Sequence, residues 1–114
     1  MSLEKKKIDK YIKKYFKNFS KKNLSELSKM FSNDIVLIDW NVSVRGKKAV
    51  LEVNRKIFKN KGIIIKHEET CYDFVKKIAA CKIQVIINKK KLNVLDLIYF
   101  NQKMEIKKII AYLR

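Results

Sequence analysis

The sequence has no proline, two glycines, two cysteines and one histidine among its 114 residues. Cysteines this sparse, without C-x-x-C spacing, argue against a secreted disulfide scaffold and match no zinc or redox motif. Cys71 and Cys81 flank a predicted hairpin, so they are either neighbours across two strands or two small buried hydrophobic residues. The single histidine, His67, fits a surface or pocket-edge position better than a ligand position. We therefore expect no metal site and no cofactor.

Long apolar runs are also missing. No stretch reaches the roughly 18 apolar residues that a membrane-spanning helix needs. The opening segment MSLEKKKIDK lacks the apolar region of a signal peptide. We therefore expect a cytoplasmic protein that has no membrane partner.

Arginine is scarce in this strongly basic chain. The net charge is +17, yet only three of the 28 basic residues are arginine, and lysine pairs recur along the whole sequence. A nucleic-acid site normally concentrates basic residues on one face and combines them with arginine or aromatic side chains. The pattern therefore favours a solvated lysine-rich surface over nucleic-acid binding, although such a positive field still attracts anionic ligands.

The residues that are present predict one folded domain over 1–114, because 47% of them are hydrophobic and a chain of this length buries roughly two thirds of its unfolded surface. Apolar residues recur at helical spacing in residues 4–19, and Asn23 fits the N-cap of a short second helix. The segment DIVLIDW (34–40) is typical of a strand, with VSVRG as its hairpin partner. A third helix is predicted within residues 46–62, with Gly62 as its stop. The positions predicted to face inward from these helices are Ile8, Tyr11, Ile12, Tyr15, Phe16, Phe19, Leu24, Leu27, Met30, Phe31, Val50, Val53, Ile57 and Phe58.

After Gly62 the apolar period changes to two. Four strand-like segments follow, joined by short polar turns: IIIKHEETCYDF, KIAACKIQVIIN, LNVLDLIYFN and MEIKKIIAYLR. Helices followed by a run of antiparallel strands predict an α+β fold, with the helices on one face of the sheet.

The segment LNVLDLIYFN is apolar on both of its predicted faces. Alternation places Asp96 among Val94 and Ile98 on one face. The opposite face carries three large side chains, Leu95, Leu97 and Tyr99. A solvated sheet face does not normally carry such a row. We therefore expect one face to meet the helices and the other to meet a second subunit.

This order of helices and strands resembles the nuclear-transport-factor-2-like superfamily, the fold of ketosteroid isomerases, SnoaL-like polyketide cyclases and many small binding proteins. The segments that carry the resemblance, which covers nearly the whole chain, are YFKNFSKKNLSELSKMFSNDIVLIDW, RGKKAV, VLDLIYFN and KIIAYLR. It implies three N-terminal helices packed on a curved, mostly antiparallel β-sheet that forms a cone-shaped pocket. It also implies a hydrophobic small molecule in that pocket and a homodimer formed through the sheet.

The ketosteroid isomerase pattern assigns roles to three residues. Tyr15 falls on the tyrosine of the oxyanion hole, Asp39 on the general base and Asp96 on the acid that stays protonated. Removing a proton next to a ketone leaves an enolate, so this chemistry needs a carboxylate base and donors for the oxyanion. The resemblance therefore implies proton-transfer isomerisation of a hydrophobic carbonyl compound. The positions assigned to ligand binding are Phe31, Trp40, Asn54, Phe58, Val85, Val94, Ile109 and Leu113.

Each of these three residues also has a structural interpretation. Tyr15 lies on the apolar stripe of a helix, and Asp39 ends a strand where aspartate often forms a turn, whereas the apolar setting of Asp96 favours a pocket. The chain departs from the enzyme pattern at Trp40, where the enzymes have proline, and near Asn54, where they have tyrosine. A non-catalytic ligand-binding or dimeric interaction module and a SnoaL-like cyclase or lyase therefore stay open beside the isomerase.

Overall fold

Helices precede most of the sheet in the computed structural model, which describes residues 3–114. The helices are α1 (Leu3–Ser20), α2 (Leu24–Met30) and α3 (Lys47–Ile57). The strands are β1 (Phe31–Ile38), β2 (Ser43–Arg45), β3 (Ile64–Asp73), β4 (Ile78–Ile87), β5 (Lys90–Phe100) and β6 (Ile106–Leu113). Within the described residues, none of the helices is long and apolar enough to cross a membrane. The predicted α+β order is confirmed.

The first two helices follow the sequence pattern closely. Ile8, Ile12 and Phe16 are buried along α1, as helical spacing predicts. The side chain of Asn23 accepts a hydrogen bond from the backbone N–H of Glu26 at 3.1 Å, which confirms Asn23 as the N-cap of α2. Phe31 is buried as predicted, but its placement on α2 is wrong, because it has extended backbone and begins β1.

The third helix ends at Ile57, earlier than the predicted stop at Gly62. Two donors of Asn60, its backbone N–H and its side-chain Nδ2, reach the carbonyl oxygen of Ile57 at 3.1 and 2.9 Å. These two hydrogen bonds satisfy one of the last carbonyl groups of the helix, and they take the place of the bonds that a further helical turn would make. Gly62 has a φ of +68° in the loop that leads to β3.

The strands of the described residues form one six-stranded sheet in the order β2-β1-β6-β5-β4-β3. All neighbours are antiparallel except β1 and β6, which pair in parallel, so the sheet is mostly antiparallel as predicted. The helices pack on one face, with α1 against β3 and α3 against β1. The inner sheet positions that are buried beneath them include Leu37, Ala79, Cys81, Ile83, Val94, Ile98, Phe100 and Ile109.

The two cysteines are free and lie on opposite faces of the β3–β4 hairpin. Asp73 pairs with Ile78, so four residues form the turn. This register places Cys71 opposite Ala80 and Thr70 opposite Cys81. The cysteines are therefore not a cross-strand pair, and only Cys81 is a small buried hydrophobic residue, whereas Cys71 is exposed.

Candidate active site

A cavity of about 480 Å³ lies between α1, α3 and the inner face of the sheet. Strands β3 to β5 contribute a largely aliphatic wall, formed by Ile65, Ile83, Val85, Ile87, Leu92 and Val94. The polar lining comes mainly from α1, from the loop after β1, from α3 and its end, and from the centre of β5: Tyr15, Asp39, Asn41, Asn54, Lys56, Asn60 and Asp96. An apolar cavity with a few polar groups is the usual form of a small-molecule site.

The burial of the lining residues distinguishes a deep end from a mouth. Tyr15 and Asp96 are only 5% and 8% exposed. Trp40, Asn41 and Lys56 are the exposed residues among the described ones that line the cavity. Tyr15 and Asp96 therefore mark the deep end, and the other three mark the mouth.

Asp96 occupies the middle of β5 and points inward from between Val94 and Ile98. Its neighbours across the sheet are Cys81 on β4 and Ala111 on β6. Within residues 3–114, no group forms a hydrogen bond with its carboxyl. Burial, with a further contribution from the negative charge of Asp39, raises the pKa of Asp96 to about 7. A carboxyl of this kind is largely protonated at slightly acidic pH and donates a hydrogen bond in that form.

Tyr15 reaches the same cavity from α1. Its ring packs on Phe16, Phe19 and Phe31, with ring centroids 5.1 to 6.4 Å apart. No described residue forms a hydrogen bond with its hydroxyl. Burial, and then the nearby charge of Asp96, raises the pKa of Tyr15 well above its usual value of 10.0. The hydroxyl is thus a neutral donor throughout the physiological range.

Asp39 follows the last residue of β1 and is half-buried. Its Oδ1 accepts the backbone N–H groups of Asn41 and Val42 at 2.7 and 2.8 Å. Its own N–H donates to the carbonyl oxygen of Val42 at 2.9 Å. The predicted turn role is therefore real, and the same residue also lines the cavity. The turn fixes the orientation of the carboxylate, while no described residue donates a hydrogen bond to Oδ2.

Five of the eight positions predicted for ligand binding line the cavity: Trp40, Asn54, Val85, Val94 and Ile109. Three lie elsewhere. Phe31 is fully buried in the core at the start of β1, and Phe58 packs edge-on against Phe19 at 4.9 Å. Leu113, at the end of β6, is 44% exposed. The early start of β1 accounts for the position of Phe31, and the early end of α3 accounts for that of Phe58.

The sequence prediction missed several polar residues of the lining, namely Asn41, Lys56 and Asn60. Asn60 follows Val53 and Ile57 at helical spacing, so the inward face of the predicted third helix was a signal for it. No comparable signal was present for Lys56, which lies beside that face, or for Asn41, which lies in a loop.

Asn54 contributes an amide with unused hydrogen-bonding capacity. The residue is only 4% exposed, and its Nδ2 has no hydrogen-bond partner among the described residues. A buried donor that lacks a partner costs about 1–3 kcal/mol. The amide is therefore a further polar group in the wall that a ligand or a water molecule would satisfy.

Two other titratable residues lie close to the cavity, Cys81 and His67. Among the described residues, no group of three or more His, Cys, Asp and Glu side chains is placed to hold a metal ion. Burial raises the pKa of the Cys81 thiol to about 12, so it is not a thiolate nucleophile at neutral pH. His67 forms a hydrogen bond with Thr70 and packs on Phe16.

No family model and no curated protein matches the sequence. Solved structures do resemble it. SalBIII, an epoxide hydrolase/cyclase-like enzyme with a role in pyran ring formation in the polyether salinomycin, superposes with a TM-score of 0.86 at 13% identity, over 96% of this chain and 92% of that one. A nuclear-transport-factor-2-like protein of unknown function from Cytophaga hutchinsonii gives 0.74 at 10% identity, over 90% and 86%.

A steroid delta-isomerase from Pseudomonas aeruginosa has a TM-score of 0.74 at 12% identity, over 90% of this chain and 76% of that one. At such identities the similarity establishes the fold, and it leaves the activity to be argued from the site. These matches confirm the resemblance inferred from the sequence at the level of fold. The chain therefore has the nuclear-transport-factor-2-like fold.

Proposed function

We propose that this protein binds a hydrophobic carbonyl compound in its cavity and isomerises it by proton transfer. The observation that carries the proposal is that Tyr15, Asp39 and Asp96 line one cavity. Two carboxyls in different surroundings divide the roles of acid and base, which is the arrangement that proton-transfer chemistry needs.

In this mechanism the carbonyl oxygen of the ligand lies at the deep end, between Tyr15 and Asp96. The carboxylate of Asp39 removes a proton from the carbon next to the carbonyl, and the electron pair of the broken C–H bond moves into an enolate. The hydroxyl of Tyr15 and the protonated carboxyl of Asp96 donate hydrogen bonds to the enolate oxygen. Asp39 then returns the same proton to a different carbon, so the double bond moves and the atoms balance.

The aliphatic wall supports this chemistry in two ways. It supplies the apolar surface that binds the body of the ligand. A bound ligand also displaces water from the deep end, which strengthens hydrogen bonds to the developing charge. Because burial already raises the pKa of Asp96 to about 7, further loss of water favours its protonated, donating form.

A second candidate is a cyclase of the SnoaL-like kind. The extensive similarity to SalBIII, with a TM-score of 0.86, favours it. In a ring closure the same acid, Asp96, would protonate the oxygen that leaves carbon, while Asp39 would accept the proton of the attacking hydroxyl. Product analysis separates the candidates, because isomerisation moves a double bond and cyclisation forms a ring.

Replacement of Asp39 by asparagine tests the assignment of the base. The amide oxygen of Asp39→Asn still accepts the turn N–H groups of Asn41 and Val42, so the loop is preserved. We expect turnover of a β,γ-unsaturated cyclic ketone, followed by the absorbance of its conjugated product, to fall by about 10²–10⁴-fold. Binding of the saturated ketone should change little. The matched control is Asp34→Asn, which alters an exposed aspartate of β1, the strand that Asp39 follows.

Two results of this experiment would contradict the proposal. If Asp39→Asn retains the wild-type rate, Asp39 is not the base. If the wild-type protein binds the ketone and never converts it, the cavity belongs to a non-catalytic binding module.

We also propose that the protein forms a homodimer through the outer face of the sheet. Leu95 and Tyr112 are cross-strand partners on this face and are 39% and 53% exposed. Leu97 lies opposite Ile110 in the next row, and Ile110 pairs with Ile38. This outer apolar patch (Ile38, Leu95, Leu97, Ile110 and Tyr112) is continuous across three strands and is typical of a surface that meets another protein.

A further inference from the structure

We propose that the ligand is an amphipathic carboxylate, whose carbonyl lies at the deep end and whose carboxylate lies beside Lys56 at the mouth. The inference rests on the proposed function for the deep end and adds the class of the ligand. It makes Lys56 a residue that determines specificity.

The composition of the lining is the first argument. The chain has 28 basic residues, yet Lys56 is the one basic side chain among the described residues that line the cavity. It is exposed, and no described residue forms an ion pair with it. The neighbouring Arg55, by contrast, pairs with Glu52 at 3.6 Å. An unpaired ammonium at the mouth is free to meet an anion.

The arrangement of polar groups along the cavity is the second argument. The donors Tyr15 and Asp96 are buried, whereas Lys56 is exposed, and most of the other lining residues are apolar. A wholly apolar ligand would leave the mouth unused. A ligand with a polar group at each end, one neutral and one negative, matches a lining that has buried neutral donors and an exposed cation.

Charge outside the cavity points the same way. Lys22 donates a hydrogen bond from Nζ to the backbone oxygen of Asn60 at 2.6 Å, which places a second cation next to a residue of the cavity lining. The net charge of +17 gives the protein a positive long-range field that attracts anions. Asp39 is an opposing charge in the lining, and one of its carboxylate oxygens already accepts two backbone N–H groups of the turn. A carboxylate that binds here therefore gains from Lys56 and from the long-range field.

The test compares two probes that differ in charge and by one methyl group. One is an undecanoate that carries a methyl ketone at its far end, and the other is the methyl ester of the same acid. We expect the wild-type protein to bind the acid more tightly than the ester, as measured by calorimetry. In Lys56→Gln the affinity for the acid should fall by about two- to fivefold, the range of a partly exposed ion pair, and the affinity for the ester should fall by less.

Lys59→Gln is the matched control, because it removes the same charge two residues beyond the end of α3, outside the cavity lining. It should leave the preference for the acid unchanged. An equal loss in Lys59→Gln would overturn the inference and assign the preference to the general positive field. Absence of any preference for the acid in the wild-type protein would overturn it as well.

Tyr15→Phe, measured with the ester, separates this inference from the proposed function. If that variant binds the ester as the wild type does, the deep-end assignment is wrong, while the comparison of the acid and the ester still decides the role of Lys56. Salt gives a second readout, because added salt should weaken binding of the acid to the wild type more than to Lys56→Gln.

Discussion

The two faces of β5 invert the usual rule that a sheet buries apolar side chains and exposes polar ones. Its inner face is buried, and there a carboxyl, Asp96, lies between Val94 and Ile98. Its outer face carries Leu95, which is 39% exposed, and Leu97. A buried carboxyl costs free energy of folding, and a leucine that stays exposed gives up the stabilisation that its burial would contribute. Both exceptions therefore indicate that this strand serves something besides the core, which we interpret as a ligand inside and a second subunit outside.

Among the substitutions that test this difference between the two faces, removal of the inner carboxyl should have the largest effect. Asp96→Ala takes away one of the two proposed donors, and turnover of the unsaturated ketone should fall by about 10²–10³-fold. Asp96→Asn keeps an N–H donor at nearly the same volume and should retain more activity than Asp96→Ala. Steady-state rates across pH measure both variants.

The pH profile of the rate provides the control for this prediction. In the wild type the donor is lost as pH rises through about 7, the pKa of Asp96, whereas an asparagine amide does not titrate. Asp96→Asn should therefore lack the fall in rate near this pH. Equal rates and equal profiles for the wild type and Asp96→Ala would show that the inner carboxyl takes no part in the reaction.

The pH dependence of the free energy of unfolding tests the raised pKa of Asp96 independently of the reaction. Burial raises the pKa of Asp96 from 3.8 to about 7, so the folded protein holds this proton more tightly than the unfolded chain does. The contribution of Asp96 to the free energy of unfolding therefore decreases as pH rises from about 4 to about 7, and it is constant above that. Over this window Asp96→Asn should gain stability relative to the wild type, by about 2–4 kcal/mol. Urea unfolding at a series of pH values measures the difference.

The difference between the two proteins is the quantity of interest, because other carboxylates titrate in the same range in both of them. Asp34→Asn, at an exposed position, should show no such gain. A flat difference between Asp96→Asn and the wild type would mean that Asp96 is ionised at neutral pH and cannot serve as a donor.

Periodicity predicted most of the fold because the amphipathic pattern is strong in the segments concerned. The stripe of α1 through Ile8, Ile12 and Phe16 and the alternation of β5 around Asp96 are both found in the structure. The errors lie at boundaries, where local signals compete. Asn60 closes α3 before Gly62 does, and Phe31 is apolar enough for either a helix stripe or a strand.

The site was harder to predict from the sequence than the fold was. Tyr15, Asp39 and Asp96 were found through a resemblance that spans three distant segments, and the structure brings all three to one cavity. Lys56 and Asn41 at the mouth have no periodic signal, because their position depends on how α3 and the β1–β2 loop pack against the sheet. The register that separates Cys71 from Cys81 likewise depends on the number of turn residues, which alternation does not specify.

The smallest effect is expected on the outer face. Leu97→Lys places a charge in the middle of the outer apolar patch, and we expect the dissociation constant of the homodimer to rise by about tenfold or more, as for loss of a central apolar contact. Asn93→Lys is the matched control, because it adds the same charge to an exposed position on the same face of β5, beyond the patch. Sedimentation velocity over a range of concentrations measures both.

The salt dependence of the dimer separates the effect of charge from the loss of apolar contact. Two copies of a chain with a net charge of +17 repel each other, so added salt should tighten the wild-type dimer. Salt should also compensate for the added charge of Asn93→Lys, whereas the dimer of Leu97→Lys should stay weak. Ligand binding should be unaffected in either variant, because Leu97 and Asn93 point away from the cavity, and a wild-type protein that sediments as a monomer at every concentration would refute the dimer.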